Sequence, residues 1–386
     1  MPANDKQACH RDTNRGEKMP NGKRRSLNLV PTVLAFFTAS IALADETDSS
    51  AREFRIETFK PEMNELVSND AELELLGDRY GLTEGPLWMD DGQGGFLLFT
   101  DLISDAIFKW TPAEGNSVFL DDAGYSGDDI NNAGFQAMRG RMRVILIGPN
   151  GLTLDPQGRL VWCAMPDRRV MRLEKDGTRT VVAEKYNGKR FSGPNDLVYR
   201  SDGTLYFTDS IFGLRGAESQ QESPYREIPY NGVFMVKNGD VTLLVKDAEL
   251  GGDPNGVALS PDERYLYVSA DYNRIMRYEL KKDGTLGEGK VFIDGETSDG
   301  MKVDQRGNVY TTAVWEGEVR VTSPEGHRLG VIYLPRVDTE PRVQICATNV
   351  AFGDADSKGL YITACEHVYR LQMKVPGVRP VSDQRS

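Results

Sequence analysis

The 386-residue sequence is poor in the residues that carry most metal and nucleophile chemistry, with only four cysteines and three histidines. It has no C-x-x-C pair, P-loop, EF-hand loop, H-E-x-x-H or G-x-S-x-G motif, so the usual thiol, nucleotide, zinc-protease and serine-hydrolase chemistries have no support. Long amphipathic helical patterns are also missing, which argues against α/β folds. The formal net charge of -12 makes nucleic acid an unfavourable partner.

Only one long apolar run is present, Leu27 to Leu43, and it lies near the N-terminus. Three basic residues (23–25) precede it, and an A-L-A sequence (42–44) ends it. This combination is typical of a secretory signal, so we predict that residues 1–44 are a signal peptide and that the protein is exported, to the periplasm or as a secreted protein. An uncleaved anchor is the alternative, and only in that case do we expect a stable membrane partner.

Three cysteines remain after that segment: Cys163, Cys346 and Cys365. Each lies in or beside an apolar strand-like run, where a thiol packs as a small apolar residue. Export would permit a disulfide, and a Cys346–Cys365 bridge is the pairing left open. We predict no metal or catalytic role for His327 or His367, which lie in turn and strand contexts.

One short pattern recurs six times: a polar residue, a run with alternating apolar positions, a turn, and a strongly apolar strand such as LYFTD or LYVSA. An internal period of roughly 45 to 65 residues made of strand-like runs is the signature of a propeller or repeat array. Further strand-like runs, such as RIMRY and KVFI, bring each unit to four strands. The sequence therefore predicts an all-β fold, a six-bladed β-propeller with four-stranded blades, over residues 71–375.

The sixth unit ends after its third strand, at His367 to Met373. The segment Ala71 to Leu76 (AELELL) precedes the first unit and can supply the missing outer strand. This N-terminal closure strand would leave no open sheet edge. We expect residues 45–70 to form a flexible N-terminal segment and residues 376–386 a flexible tail.

Two loops are longer than the repeat requires. Residues 121–147 separate the first and second units, and residues 211–231 lie between the second and third strands of the third unit. Long loops in a compact domain are often lids or binding loops. Surface insertions without a functional role are the alternative for both.

The polar residue that opens each unit forms one column, which holds two carboxylates, three carboxamides and one hydroxyl: Glu84, Asn150, Asn195, Asn255, Asp299 and Thr348. The inner strand of each blade follows the central channel, so these side chains should converge on one mouth of it. Adjacent carboxylates are costly without a cation, and oxygen ligands alone suit a hard divalent cation. Calcium fits best because it accepts irregular geometry. The alternative is that these are ordinary turn residues.

Four motifs in order resemble the senescence-marker-protein/gluconolactonase family, which includes regucalcin and, more distantly, diisopropyl-fluorophosphatase-like enzymes. They are LTEGPLW around Glu84, GKRFSGPNDLVYRSDGTLYFTD around Asn195, PNGVALSPDERYLYVS around Asn255 and SDGMKVDQRGNVY around Asp299. The resemblance spans most of residues 80–372 and is greatest with the bacterial gluconolactonase branch.

The resemblance implies that Glu84, Asn195, Asn255 and Asp299 hold a divalent cation, with Ca²⁺ expected and Zn²⁺, Mg²⁺ or Mn²⁺ as alternatives. Asn150 would then line the substrate pocket, and Thr348 would also face the substrate. One position departs from the family pattern. Regucalcin-like members carry an Arg near the Asn195 motif that helps to bind sugar hydroxyls, and Gly193 stands there. This difference puts sugar recognition of that kind in question.

We therefore expect a calcium-dependent lactonase that opens a small-molecule lactone, a sugar lactone such as gluconolactone. Asp299 is the predicted general base on the attacking water. Asp209, at the end of an FTD sequence beside the same mouth, could orient a ligand or the substrate; a strand-end hydrogen bond is its alternative role. A metal-dependent phosphotriesterase or other esterase and a non-enzymatic, calcium-stabilised propeller are the competing hypotheses. No oligomeric state is predicted.

Overall fold

The computed structural model describes residues 53–381, except 140–141, 216–222, 271–273, 297, 336, 340–341 and 345. The predicted signal peptide, residues 1–44, lies outside the described residues. Among the residues described, none belongs to a helix long and apolar enough to cross a membrane.

Six antiparallel sheets form a six-bladed β-propeller as predicted, and in blades 1 to 5 the four blade strands follow chain order from the inner strand outward. Blade 1 comprises Thr83–Met89, Phe96–Asp101, Ala106–Thr111 and Gly115–Asp121. Blade 2 comprises Leu152–Leu154, Leu160–Ala164, Arg169–Leu173 and Arg179–Ala183. Blade 3 comprises Pro194–Tyr199, Leu205–Asp209, Gly232–Lys237 and Asp240–Lys246.

The second half of the ring repeats this arrangement. Blade 4 comprises Pro254–Leu259, Tyr265–Ala270, Arg274–Leu280 and Leu286–Asp294. Blade 5 comprises Met301–Val303, Val309–Ala313, Glu318–Thr322 and Arg328–Tyr333. Blade 6 comprises Asn349–Gly353, Gly359–Ala364, His367–Gln372 and Leu73–Gly77. The inner strands of neighbouring blades contact one another all the way around the ring.

Burial within a blade falls from the inner strands to the outer ones. Every residue of the second strand of blade 3, LYFTD, is buried, whereas most residues of the outer strand of blade 1 are exposed. A second strand is covered on both faces by the adjacent blades, so its sequence is continuously apolar rather than alternating. The hydrophobic core therefore lies between adjacent blades, and each blade adds one buried interface to it.

The predicted closure strand is confirmed, since Leu73–Gly77 pairs antiparallel with His367–Gln372 and completes blade 6. The segment predicted to be flexible, residues 45–70, contains regular structure in the part that is described, and its flexibility stays a prediction. Arg55–Thr58 adds a fifth strand to blade 5, and the short helix Met63–Leu66 follows it. The few apolar residues of this otherwise polar segment account for its order, because Met63 and Leu66 are fully buried in the blade 5 and blade 6 core.

The C-terminal segment is also ordered through residue 381, contrary to the flexible tail predicted for residues 376–386. The Val378 N–H donates to the carbonyl of Val303 on the inner strand of blade 5, at 2.9 Å. Val375 and Val381 are buried in two different core clusters. These two valines, six residues apart, attach the C-terminal segment to two separate parts of the core. Residues 382–386 lie outside the described part of the chain.

The regular structure outside the blades is short. In the part of the chain that the structure describes, it consists of the helices Met63–Leu66 and Asp247–Leu250, two 3₁₀ turns and three two-stranded hairpins. The 3₁₀ turns are Ile130–Asn132 and Ile211–Gly213, and the hairpins pair Gln136–Arg139 with Met142–Ile145, Lys185–Tyr186 with Lys189–Arg190, and Val337–Thr339 with Arg342–Gln344. The predicted long loops thus contain structure of their own.

A disulfide joins Cys346 to Cys365, while Cys163 is a buried free thiol. The pairing left open by the sequence is therefore the one present. Cys346 lies just before the inner strand of blade 6, and the carbonyl of Cys365 accepts a hydrogen bond from the Thr83 N–H at 2.7 Å. The bridge thus joins two segments of blade 6, and the Thr83 hydrogen bond connects one of them to the start of blade 1.

Replacing Cys346 with Ser is expected to lower the free energy of unfolding by about 2–4 kcal/mol, because the bridge restricts the unfolded chain. Chemical denaturation of the oxidised protein measures this loss. Reductant should lower the stability of the wild type to that of the variant and leave the variant unchanged. Equal stability of wild type and variant under oxidising conditions would contradict the role assigned to the bridge.

Candidate active site

The six column residues lie where neighbouring inner strands touch at one mouth of the channel. At each of the six places where adjacent blades meet, a glycine or a side-chain hydroxyl of one blade contacts a backbone carbonyl of the next. The hydrogen bonds are from Gly151 N to Asn195 O (2.8 Å), Gly256 N to Asp299 O (3.2 Å), Gly300 N to Thr348 O (2.8 Å), Thr208 Oγ1 to Asn255 O (2.6 Å) and Thr348 Oγ1 to Thr83 O (2.7 Å). The sixth junction brings Gly85 against the carbonyl of Asn150. The column thus forms a ring in space.

Glycine at these junctions is required by close backbone approach. A Cβ on Gly85 would clash with the carbonyl oxygen of Asn150, and one on Gly256 would clash with the carbonyl oxygen of Asp299. The Asx-Gly and Glu-Gly pairs of the repeat therefore serve packing as well as chemistry. They are not the tight turns that the alternative interpretation suggested, since Gly85 and Gly256 lie within inner strands.

Three of the predicted ligands lie at irregularities of their strands. Register shifts occur in the inner strands of blades 1, 3 and 4, at or next to Glu84, Asn195 and Asn255. A bulge redirects a side chain and interrupts pairing with the neighbouring strand, and bulges are common beside active sites. Here the interruptions occur at the channel mouth, at the residues predicted to be cation ligands.

The donor set suits a hard cation. Asn195 and Asn255 are each 5% exposed, and neither side-chain amide makes a hydrogen bond to another described residue. Buried amides normally have partners, so these two are available for a ligand. Glu84 is also 5% exposed, and Asp299 is partly buried. Among the described residues there is no cluster of three or more His, Cys, Asp and Glu side chains, so a cation here would depend on amide oxygens for part of its coordination.

Three channel residues were missed by the sequence analysis. Asn349 donates to Glu84 Oε2 at 3.0 Å, and the Lys302 ammonium lies 3.7 Å from Asp196 Oδ2. Asp196 and Asn349 occupy the position immediately after the column, which is glycine in the other four blades. That second column was visible in the sequence, and its two polar exceptions were the signal. Lys302 has no such repeat signal.

The electrostatics of the channel centre on Glu84. The pKa of Glu84 is raised to about 7, chiefly by burial and also by the nearby Asp196 carboxylate. Hydrogen bonds from the Gly85 N–H and the Asn349 amide oppose this increase, as does the Lys302 charge. A buried carboxylate near a second carboxylate is the situation in which a bound cation gives the largest stabilisation.

The remaining predicted residues differ in how they face the channel. Asn150 is buried, with its amide 3.7 Å from the Met165 sulfur. Asp209 is fully buried and accepts the N–H groups of Ser192 and Gly193, at 3.0 and 2.7 Å. That geometry favours the alternative role of Asp209, which fixes the segment leading to Asn195. Its burial raises the pKa of the Asp209 carboxyl to about 7.

Thr348 is in the column, but its hydroxyl is directed away from the channel. It donates to the carbonyl of Thr83 at 2.7 Å and lies 2.9 Å from the Thr363 hydroxyl. The side chain that enters the channel from this blade is that of Asn349. Substrate contact by Asn150, Asp209 or Thr348 stays a prediction, and for the last two the hydrogen bonds favour a structural role.

Gly193 shows why the regucalcin-type arginine is absent. A Cβ at this position would clash with the backbone of Gly213, in the long loop 211–231. That loop meets the other long loop here, because the Phe135 N–H donates to the carbonyl of Phe212 at 3.0 Å and the two rings lie 5.6 Å apart. The two insertions thus pack together beside Asn195 and occupy space that a larger residue at position 193 would need.

Comparison with known proteins identifies the family of this chain. Residues 82–366 match the family described as the SMP-30/Gluconolactonase/LRE-like region. The chain belongs to this family. A gluconolactonase of Zymomonas mobilis is 31% identical over 360 residues, which covers 90% of this chain and 94% of that protein. These relationships support a lactone-hydrolysing enzyme.

Solved structures of the family have the same fold. A gluconolactonase from Xanthomonas campestris superposes with a TM-score of 0.65 at 26% identity, covering 84% of this chain and 97% of that one. A calcium-binding regucalcin from Agrobacterium tumefaciens shares the fold, with a TM-score of 0.59 at 19% identity over 80% of this chain and 96% of that one. The family is known to bind divalent metals.

The raised pKa of Glu84 predicts a pH dependence of the metal-free protein. The folded state holds the Glu84 proton more tightly than the unfolded state. The protonated carboxyl therefore contributes to the free energy of unfolding at low pH, and this contribution is lost as pH rises from about 4.5 to about 7. In Glu84→Gln the fall in the free energy of unfolding over this pH range should be smaller by up to about 3 kcal/mol. Denaturation in chelator at pH 5 and pH 8 measures it, with the exposed Glu72→Gln as the matched control. An unchanged slope in Glu84→Gln would show that Glu84 does not titrate in this range.

Proposed function

We propose that the protein is a divalent-metal-dependent lactonase, with Ca²⁺ as its cation and a sugar lactone as its substrate. The observation that carries the proposal is the ring of inter-blade contacts, which gathers Glu84, Asn195, Asn255 and Asp299 at one mouth of the channel. Two carboxylates and two amides that have no hydrogen-bond partner among the described residues, in a member of the gluconolactonase family, support a hard-cation site.

The four residues supply two negative charges and two neutral oxygens. The cation, when bound, would supply Lewis-acid polarisation of the lactone carbonyl. Calcium is favoured over magnesium because the ligands come from four different blades, and calcium tolerates irregular geometry. The regucalcin described above, itself calcium-binding, supports the same choice.

The residues of the chain then have separate tasks in hydrolysis. Asp299 would accept a proton from a water molecule as the water oxygen bonds to the lactone carbonyl carbon. The ring C–O bond breaks, and a proton passes to the ring oxygen to give the hydroxy acid. The Asp299 N–H donates to the carbonyl of Thr312 at 2.9 Å, which fixes the backbone that carries this base. Asn150, on blade 2, would orient the substrate, while Asn255, on blade 4, would hold the cation.

Export is part of the proposal. The basic and apolar segment before residue 45 resembles a secretory signal, and the Cys346–Cys365 disulfide suits an oxidising compartment. A lactonase in the periplasm or outside the cell would act on lactones released there by sugar oxidation.

Chelation is expected to abolish lactone hydrolysis, and re-addition of Ca²⁺ to restore it. The measurement is acid release from glucono-1,5-lactone by the purified mature chain, before and after chelator, with Mg²⁺, Mn²⁺ and Zn²⁺ in parallel. A phosphotriester assayed alongside separates the lactonase from the esterase hypothesis. Hydrolysis that persists unchanged after chelation would exclude a metal-dependent reaction, and the lack of any hydrolysis would favour the binding propeller.

Asp299→Asn tests the base. Because the amide keeps an oxygen ligand but cannot accept the water proton, kcat should fall by about 100-fold or more. Cation affinity measured by calorimetry separates loss of the base from loss of the cation. Full activity of Asp299→Asn with normal cation binding would remove Asp299 from the proton transfer.

A further inference from the structure

Two blades lack the glycine that follows the column elsewhere. In blades 2, 4 and 5 that glycine is Gly151, Gly256 or Gly300, and its N–H donates directly to the column carbonyl of the next blade. In blades 3 and 6 the position is taken by Asp196 and Asn349, whose side chains enter the channel. Their N–H groups donate to threonine hydroxyls instead.

In blade 3 one hydroxyl bridges the gap to the next blade. The Asp196 N–H donates to Thr208 Oγ1 at 3.0 Å, and Thr208 Oγ1 lies 2.6 Å from the carbonyl oxygen of Asn255. A hydroxyl can accept one hydrogen bond and donate another at the same time. At this junction Thr208 therefore links the Asp196 N–H to the Asn255 carbonyl. In blades 4 and 5 a second-strand hydroxyl also reaches the next column carbonyl, from Ser269 to Asp299 at 3.2 Å and from Thr312 to Thr348 at 2.7 Å, but there the glycine N–H makes the direct bond as well.

In blade 6 the relay has two hydroxyls. The Asn349 N–H donates to Thr363 Oγ1 at 3.1 Å, and the Thr363 and Thr348 hydroxyls are 2.9 Å apart. Thr348 Oγ1 then donates to the carbonyl of Thr83 at 2.7 Å, one residue before Glu84. All four residues are buried, so water cannot easily replace these bonds.

The relays end beside two predicted ligands, where each strand is irregular. The inner strand of blade 4 loses its register between Pro254 and Val257, so Asn255 has no paired residue on its own second strand. The bond from Thr208, on the preceding blade, holds its carbonyl in place. The inner strand of blade 1 shifts register just after Glu84.

We propose that Thr208, and the pair Thr348 and Thr363, are positioning residues for the cation ligands Asn255 and Glu84. This inference rests on the proposed function, since it requires a cation at the channel mouth. Partners that orient metal ligands commonly matter 10–100-fold in affinity. The Thr208 and Thr348 hydroxyls each bond to the next blade, and the Thr363 hydroxyl contacts Thr348 and Asn349 within blade 6.

The chain supplies a matched control in blade 1. Thr100 occupies the position in its second strand that Thr208 occupies in blade 3, and it is fully buried. Its hydroxyl has no hydrogen-bond partner among the described residues. Blade 1 has Gly85 after its column residue, so no relay is present there. Thr100→Val thus makes the same chemical change in the same setting without breaking a relay.

The experiment measures Ca²⁺ affinity of the metal-free mature protein by calorimetry for Thr208→Val, Thr208→Ser and Thr100→Val, and their thermal stability in chelator. Thr208→Val is expected to weaken Ca²⁺ binding by about 10-fold or more. Thr208→Ser should restore it, because the hydroxyl is kept, and Thr100→Val should leave it unchanged. Equal affinity of Thr208→Val and wild type, or equal losses in Thr208→Val and Thr100→Val, would overturn the inference.

The blade 6 relay is tested independently and covers the case in which Thr208→Val does not fold. Thr363→Val and Thr348→Val should weaken Ca²⁺ binding to a similar extent, and the double variant should be no worse than either, because both break one series of bonds. A raised KM with normal Ca²⁺ affinity in Thr348→Val, together with a neutral Thr363→Val, would instead favour substrate contact and overturn the relay. If the wild type binds no divalent cation, the proposed function fails first; normal wild-type binding with unaffected variants overturns only the relays.

Discussion

Six inner strands must approach one another closely around a single channel, and the hydrogen bonds between adjacent strands at its mouth determine much of the rest. Where the position after the column is glycine, backbone can touch backbone, as at Gly256 against the carbonyl of Asp299. Where it is not, a threonine hydroxyl carries the contact. The same contacts position the side chains proposed as cation ligands, so the packing of the ring and the geometry of the candidate site are coupled.

The ring is chemically unequal around its circumference. Blades 3 and 6 lie opposite each other in the six-membered ring, and these two send Asp196 and Asn349 into the channel. Lys302 approaches Asp196 from blade 5 and offsets part of the negative charge that surrounds Glu84. A channel lined in this way concentrates charge at one mouth, which is the condition under which a divalent cation is bound strongly in a partly dehydrated site.

Several features of the fold were predictable because they repeat. The second strands are continuously apolar since each is buried on both faces, and the incomplete sixth unit pointed to a closure strand before the first. The ordered segments at the two ends were not predictable in the same way. Met63, Leu66 and Val381 are single apolar residues in polar surroundings, and their burial depends on surfaces that exist only after the blades have assembled.

For the candidate site, too, the repeated features could be predicted from the sequence and the features set by contacts between blades could not. The amino-acid sequence by itself determined the number of blades, the column of polar residues and the types of ligand available, because each of these is written once per repeat. Only the tertiary structure decided which column residues face the channel. Thr348 shares the column with Asn255, yet its hydroxyl bonds to blade 1, and Asn349 takes its place beside Glu84. The physical reason is that side-chain direction at the channel mouth depends on contacts with the neighbouring blade, which lies roughly 45 to 65 residues away in the chain or, at the closure, at its other end.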